Sequence, residues 1–164
     1  MAVLRYLLAA LLVIGTAACS PTGGTRPPTT DVPRPEPAEQ IVARLAAKIP
    51  TATPSIVYTA QTDPNQLLGT PHSYTSKAAF TDSRVSPAEA NDTEIGSIEL
   101  GGSVEVFAND ADARARKDYL DQTVKDLPID VSEYSYLHGP ILLRVSRRLT
   151  PTQATEYQTA LDAT

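Results

Sequence analysis

Apolar residues fall three and four apart over residues 37–49, where Ile41, Val42, Leu45, Ala46 and Ile49 share one face and Pro50 stops the run. That spacing predicts a helix. A second helical stretch spans residues 110–127: Asn109 can cap it, Asp110 and Asp112 suit the positive end of its first turn, and Pro128 closes it. Ala113, Leu120, Val124 and Leu127, with Ala115 and Tyr119 beside them, form its predicted buried side, and Arg114 and Lys117 its wet side. A third helix opens at Thr150-Pro151-Thr152-Gln153, with Thr150 as N-cap, Pro151 in the first helical position and Gln153 completing a capping box. Its apolar side is Ala154, Tyr157 and Leu161.

Between the helices the pattern shortens to strand periods. Residues 56–60 and 77–81 read as short strands, separated by a turn at 62–65, a Leu67-Leu68-Gly69 stretch and Pro71. Residues 94–107 are strand-rich around Gly101-Gly102. A three-residue loop at Gly101-Gly102-Ser103 places Leu100 opposite Val104 and Ile98 opposite Val106; one long strand bulged at the glycines is the competing reading. A hairpin over residues 133–146 with His138-Gly139 as its loop sets Tyr136 against Ile141, Tyr134 against Leu143 and Glu133 against Arg144. The order of elements predicts an α+β fold, a mainly antiparallel sheet of about five or six strands with helices packed on one face.

The beginning of the chain is different in kind. Residues 1–18 carry one charge, Arg5, then an apolar stretch over 6–14 and small residues up to Ala18, the layout of a secretory signal peptide and too short for a membrane span. Thr16-Ala17-Ala18-Cys19 resembles the lipobox of bacterial lipoproteins, with Thr16 where that family more often has Leu. The resemblance implies diacylglyceryl attachment to the Cys19 sulfur, cleavage before it and acylation of the new amino terminus. Ordinary cleavage near Ala18, leaving a free thiol, is the alternative. At about 0.8 kcal/mol per buried CH2, two or three acyl chains hold a protein on a bilayer. Residues 19–37 then hold six of the fourteen prolines and two glycines against one large apolar residue, Val32. Such a segment reads as a disordered or polyproline-II tether, and residues 38–164 as a single domain.

Charge and residue inventory narrow the function classes. The formal net charge is −5, and loss of the leader removes one positive charge. An acidic surface of this kind argues against nucleic acid and against electrostatic binding to anionic lipid. A single cysteine excludes an internal disulfide and a thiol pair. His72 and His138 sit at turn positions with no metal-site spacing. No serine lies in a G-x-S-x-G elbow, Ser76-Lys77 lies beside a strand, and Gly101-Gly102 lacks the remainder of a phosphate loop. Glu99 and Glu105 read as carboxylates on a solvated sheet face. The sequence thus points to no cofactor and no metal, and more toward a non-enzyme than an enzyme. The polar and aromatic cluster Tyr74, Lys77, Phe80, Asp82 and Arg84 is the candidate recognition surface. A half-exposed strand with an Asp82–Arg84 pair on its rim is the plainer alternative.

The segments TDPNQLLGTPHSYTSKAAFTDSR, GGSVEVFANDADARARKDYL and YLHGPILLRVSRRLTPTQATEYQTAL together resemble a group of small secreted lipoproteins of actinobacteria, built from a lipobox, a Pro/Thr-rich tether and one compact domain. The resemblance implies a location and a domain plan, and carries over no catalytic residue. The expected function is a lipid-anchored, extracytoplasmic binding or interaction module of the cell envelope, held in the bilayer through Cys19, with an envelope protein or small ligand as partner. Two alternatives stand beside it. One is a small-ligand sensor or carrier with a pocket between sheet and helices, using Tyr58, Tyr74 or Arg116. The other is an envelope hydrolase or an inhibitor of one.

Overall fold

A computed structural model describes residues 34–126 and 133–163. The segments expected to be a leader and a tether, up to residue 33 and including Cys19, and Leu127 and Pro128 lie outside the described residues. The chain forms α1 (Ala38–Lys48), β1 (Ala52–Val57), β2 (Tyr74–Asp82), a short α2 (Pro87–Ala90), a 3-10 turn (Ile98–Leu100), β3 (Gly101–Phe107), α3 (Asp110–Asp126), β4 (Glu133–His138), β5 (Ile141–Ser146) and α4 (Pro151–Asp162). The strands make one antiparallel sheet in the order β1-β2-β3-β5-β4, an α+β arrangement as the hydrophobic pattern predicted.

Alternation along the strands separates two faces. Ala78, Phe80, Val104, Val106, Ile141, Leu143 and Val145 point to the side where Ile41, Val42 and Leu45 of α1 and Ala154, Tyr157 and Leu161 of α4 complete the main core. Both helices present the predicted apolar residues, and α4 carries the full capping box: the Gln153 amide donates to Thr150 Oγ1 (3.3 Å) and the Thr150 amide to Gln153 Oε1 (2.8 Å). The departure is α3, which packs on the opposite face. Ala113 meets Tyr74, Phe107 and Leu142 there, with Leu67, Leu68, Leu120 and Leu137 around them. Asn109 caps this helix as expected, accepting from the Asp112 amide at 3.0 Å. Arg114 is exposed as predicted, but Ala115 and Tyr119 face solvent instead of the core, and Lys117 is half-buried beside Asp121. A helix laid over a charged sheet face needs only a narrow apolar stripe, which Ala113 and Leu120 provide.

Three expectations are corrected. Gly101-Gly102 does not turn a hairpin: a 3-10 turn leads straight into β3, which pairs with β2 on one side and β5 on the other. The glycines are there for space. A β-carbon on Gly102 would lie 2.3 Å from the Arg144 carbonyl oxygen and 2.5 Å from the Phe80 ring, and one on Gly101 2.6 Å from the Phe80 carbonyl oxygen. The empty position lets Phe80, the cross-strand neighbour of Gly102, lie flat and stack on Tyr157 at 5.0 Å. Strand β1 begins at Ala52, earlier than predicted, and Pro54 is tolerated because β1 is an edge strand; the bulge at Ser55 turns Ile56 to pair with Ala79. The β4–β5 loop is Gly139-Pro140, because Pro140 has no N–H for the ladder and Gly139 takes φ 53°. His138 is therefore the last residue of β4, paired with Ile141, while Tyr136 faces Leu143 and Tyr134 faces Val145. Each pair shifts by two positions, so every side chain keeps its predicted face.

Candidate functional site

The second face of the sheet is not a solvated surface. Lys77 on β2 and Glu105 on β3 are cross-strand neighbours, and Arg144 of β5 projects to the same side. Glu105 is 0% exposed. Its Oε2 accepts from Arg116 Nε (3.1 Å) and its Oε1 from Arg144 Nη1 (3.1 Å). Arg144 in turn grips Glu133 through Nε (2.5 Å) and Nη2 (2.7 Å). The predicted Glu133–Arg144 pair is thus formed, on a diagonal of the ladder instead of straight across it.

A second group of charges holds the loop over residues 59–73. Asp63 takes Lys77 Nζ at 2.8 Å, the Tyr74 hydroxyl at 2.6 Å, and the amides of Leu67 (2.9 Å) and Leu68 (3.1 Å). Burial alone would raise its pKa. The hydrogen bonds from Lys77, Tyr74 and the Leu67 amide, with the Lys77 charge, outweigh it and hold the carboxyl well below the usual range. Lys77 Nζ also sits 4.7 Å from the Tyr58 ring centre and 5.3 Å from that of Tyr74. Burial first, then the Asp63 carboxylate, raises the Tyr74 and Tyr58 hydroxyl pKa values. Asn65 joins the two groups: with its amide oxygen assigned toward the cations, it accepts from Lys77 Nζ (3.1 Å) and Arg116 Nη2 (3.3 Å). Three acids and three bases balance, and neither group leaves a bare buried charge.

The loop pinned by Asp63 and the outer side of α3 enclose a cleft of about 660 Å3, lined by Asn65, Leu67, His72, Arg116, Tyr119 and Leu120 among others. Two non-glycine residues of the loop stand in the left-handed region, Gln66 at φ 55° and His72 at φ 60°. Such conformations cost about 1–3 kcal/mol each and persist where the surroundings over-determine them. Here the Asp63 hydrogen bonds and the Gly69 amide to Tyr74 carbonyl bond (2.9 Å) supply that constraint. The cleft wall is therefore preformed.

The sequence-predicted site residues divide. Tyr74 and Lys77 are buried in the Asp63 group, where they support the cleft from behind. Asp82, Arg84 and Phe80 belong to the other face of the sheet. Asp82 is buried, receives Arg84 Nη2 (2.8 Å) and the Tyr157 hydroxyl (2.6 Å), and Arg84 Nη1 reaches Glu156 (2.6 Å). The expected residues thus do not form one surface: Tyr74, Lys77 and Asp82 are interior, on opposite faces of one sheet, and only Arg84 is partly exposed. The Asp82–Arg84 pair of the plainer alternative is formed, but its strand is mostly buried instead of half-exposed. Tyr58, Tyr74 and Arg116, named for a ligand pocket, do converge, although only Arg116 lines the cleft. Asp63, Asn65, Glu105 and Arg144 were missed as a group. The available signal was charge inside apolar strand segments, Glu105 between Val104 and Val106 and Arg144 between Leu143 and Val145. Glu99, read with Glu105 as a carboxylate on a solvated sheet face, lies in the 3-10 turn and pairs with Arg148.

His72 and His138 are apart, at 3.2 Å from Asp112 and Asp162 respectively. Among the described residues no group of three or more His, Cys, Asp or Glu side chains could hold a metal ion, and no helix is long and apolar enough to cross a membrane. A larger groove of about 720 Å3 runs between α1 and α4. Its cations are already engaged: Lys48 donates to the Ala160 and Ala163 carbonyls (3.0 and 3.1 Å) and Arg84 to Asp82 and Glu156. Comparison of the chain with protein families, curated proteins and solved structures gives no match.

Proposed function

We propose that this protein is a non-enzymatic binding module of the cell envelope, anchored on the extracytoplasmic side through lipidated Cys19, which binds at the cleft between α3 and the 59–73 loop. The observation that carries the reading is the rigid cleft wall. Backbone strain at Gln66 and His72 and a buried carboxylate that gathers five donors are maintained around an open depression. Strain of this kind collects where a surface must keep a particular shape. The anchor rests on the lipobox resemblance of Thr16-Ala17-Ala18-Cys19 and on the Pro/Thr-rich stretch after it. The acidic and basic groups of the site neutralise each other in pairs, which suits a recognition scaffold better than general acid–base chemistry.

The test is site-specific photocrosslinking in intact cells. A photoreactive residue replaces Tyr119 on the cleft rim or, for comparison, Val57 on the edge strand; both positions are exposed. A discrete adduct from position 119, absent from position 57 and diminished in Cys19→Ala, supports an anchored module that binds at the cleft. Equal labelling from both positions would remove the cleft as the binding surface. Unchanged incorporation of an alkyne-tagged palmitate in Cys19→Ala would remove the anchor.

A further inference from the structure

In an acidic protein the cleft wall contains, among the described residues, two arginines, Arg116 and Arg144, and no carboxylate. Arg144 is committed to Glu105 and Glu133. Arg116 is only partly committed: Nε donates to Glu105 and Nη2 to Asn65, whereas Nη1 has no acceptor among the described residues. Its guanidinium lies 5.7 Å from the ring centre of Tyr119, which is 62% exposed. Leu67, Leu120 and Phe107 extend the apolar lining beside it. A fixed cation with one free edge, next to an exposed ring and an aliphatic wall, matches an anionic head on an apolar or aromatic body.

We propose that the cleft recognises a small organic anion, a carboxylate or phosphate ester on an apolar body, with Arg116 Nη1 contacting the anion and Tyr119, Leu67 and Leu120 contacting the body. This rests on the cleft being the binding site and adds the class of ligand. Glu105 and Asn65 hold the guanidinium plane in place, so the cation is presented without a rotamer search. Arg116 itself is a poor residue to alter, because its loss strips a partner from buried Glu105. Ala115 is the better handle: it is exposed, lines the cleft and makes none of the ion pairs.

The experiment is NMR titration of the full-length protein in detergent with 4-phenylbutyrate, its neutral amide 4-phenylbutyramide, and inorganic phosphate, following the amides of residues 65–73 and the Arg116 Nε–H. The acid probe shifts these signals saturably, and the amide binds about tenfold more weakly, the effect of one charge-assisted hydrogen bond. Ala115→Glu weakens the acid about tenfold by like-charge repulsion. Ala115→Gln, of nearly the same size but neutral, is the steric control, and it binds the acid more tightly than Ala115→Glu does. Equal affinity for acid and amide, or equal loss in the two Ala115 variants, overturns anion recognition and leaves a shape-selective cleft. Silence from every probe alongside a position-119 crosslink overturns the ligand class alone; silence in both overturns the cleft reading as well.

Discussion

Asp63 and Lys77 meet at 2.8 Å inside the protein, the carboxylate 0% and the lysine side chain 5% exposed. The pair ties the 59–73 loop to the middle strand of the β1-β2-β3 half of the sheet, and the loop amides complete the coordination of the carboxylate. Removing one charge of a buried pair leaves the other unpaired, at a cost of about 3–5 kcal/mol. Lys77→Met should therefore lower urea-unfolding stability by that amount, and adding Asp63→Asn should recover part of it. A loss below about 1 kcal/mol for Lys77→Met would contradict a buried, coupled pair.

Acid should destabilise the protein through Asp63 and Asp82. Burial opposes ionisation of both, but the Lys77 and Tyr74 hydrogen bonds at Asp63, and those of Arg84 and Tyr157 at Asp82, bring the folded pKa values below the ordinary one. A depressed carboxyl pKa stabilises the fold above the unfolded value, about 3.9, and that stability drains away as pH falls below it toward the folded value. Denaturation midpoints measured from pH 6 to 2 should drop most steeply below about pH 4, and Asp63→Asn should flatten the slope. An unchanged slope in that variant would exclude Asp63 as its source.

Alkali acts through the tyrosines with the opposite sign. Burial, then hydrogen bonding to Asp63 or Asp82, raises the pKa values of Tyr74 and Tyr157 in the fold. Their neutral forms stabilise the protein below the unfolded value, about 10, and the contribution disappears as pH climbs above it. Tyr74→Phe and Tyr157→Phe should each weaken the decline seen between pH 9 and 12 in a thermal-denaturation series. A wild-type decline in both variants would assign it to other groups.

Glycine at position 102 is a packing requirement. Gly102→Ala should cost about 1–3 kcal/mol through overpacking against Phe80 and the Arg144 carbonyl. Combining it with Phe80→Leu should restore part of the loss, since the ring is the movable neighbour. If calorimetry finds Gly102→Ala neutral, the close approach of β3 to Phe80 is wrong.

At His72 the side chain is 87% exposed and the backbone is left-handed at φ 60°. His72→Gly relieves about 1–2 kcal/mol of αL cost against about 0.5–1 kcal/mol of extra unfolded-chain entropy. Its melting temperature should match or exceed wild type, whereas His72→Val, β-branched at positive φ, should melt lower. The reverse order would mean the loop is not held in this conformation.

Local chemistry alone made much of the fold legible. Helix α4 is written into Thr150, Pro151 and Gln153, α1 into the spacing of Ile41, Val42 and Leu45, and the β4–β5 hairpin into its alternating apolar residues, because caps and periodicity depend only on near neighbours. The antiparallel α+β class followed from the order of those elements. Tertiary structure alone decided what Gly101-Gly102, Lys77, Glu105 and Arg116 do. A glycine pair reads the same whether it turns the chain or clears space for a ring, and only the register with Phe80 separates the two. Charges on β2, β3 and β5 and on α3 lie far apart in sequence, and their pairing depends on strand order and on α3 crossing the second face. The cleft is a product of that packing. Its wall comes from a loop and a helix separated by two strands, so no local pattern in the chain could announce it.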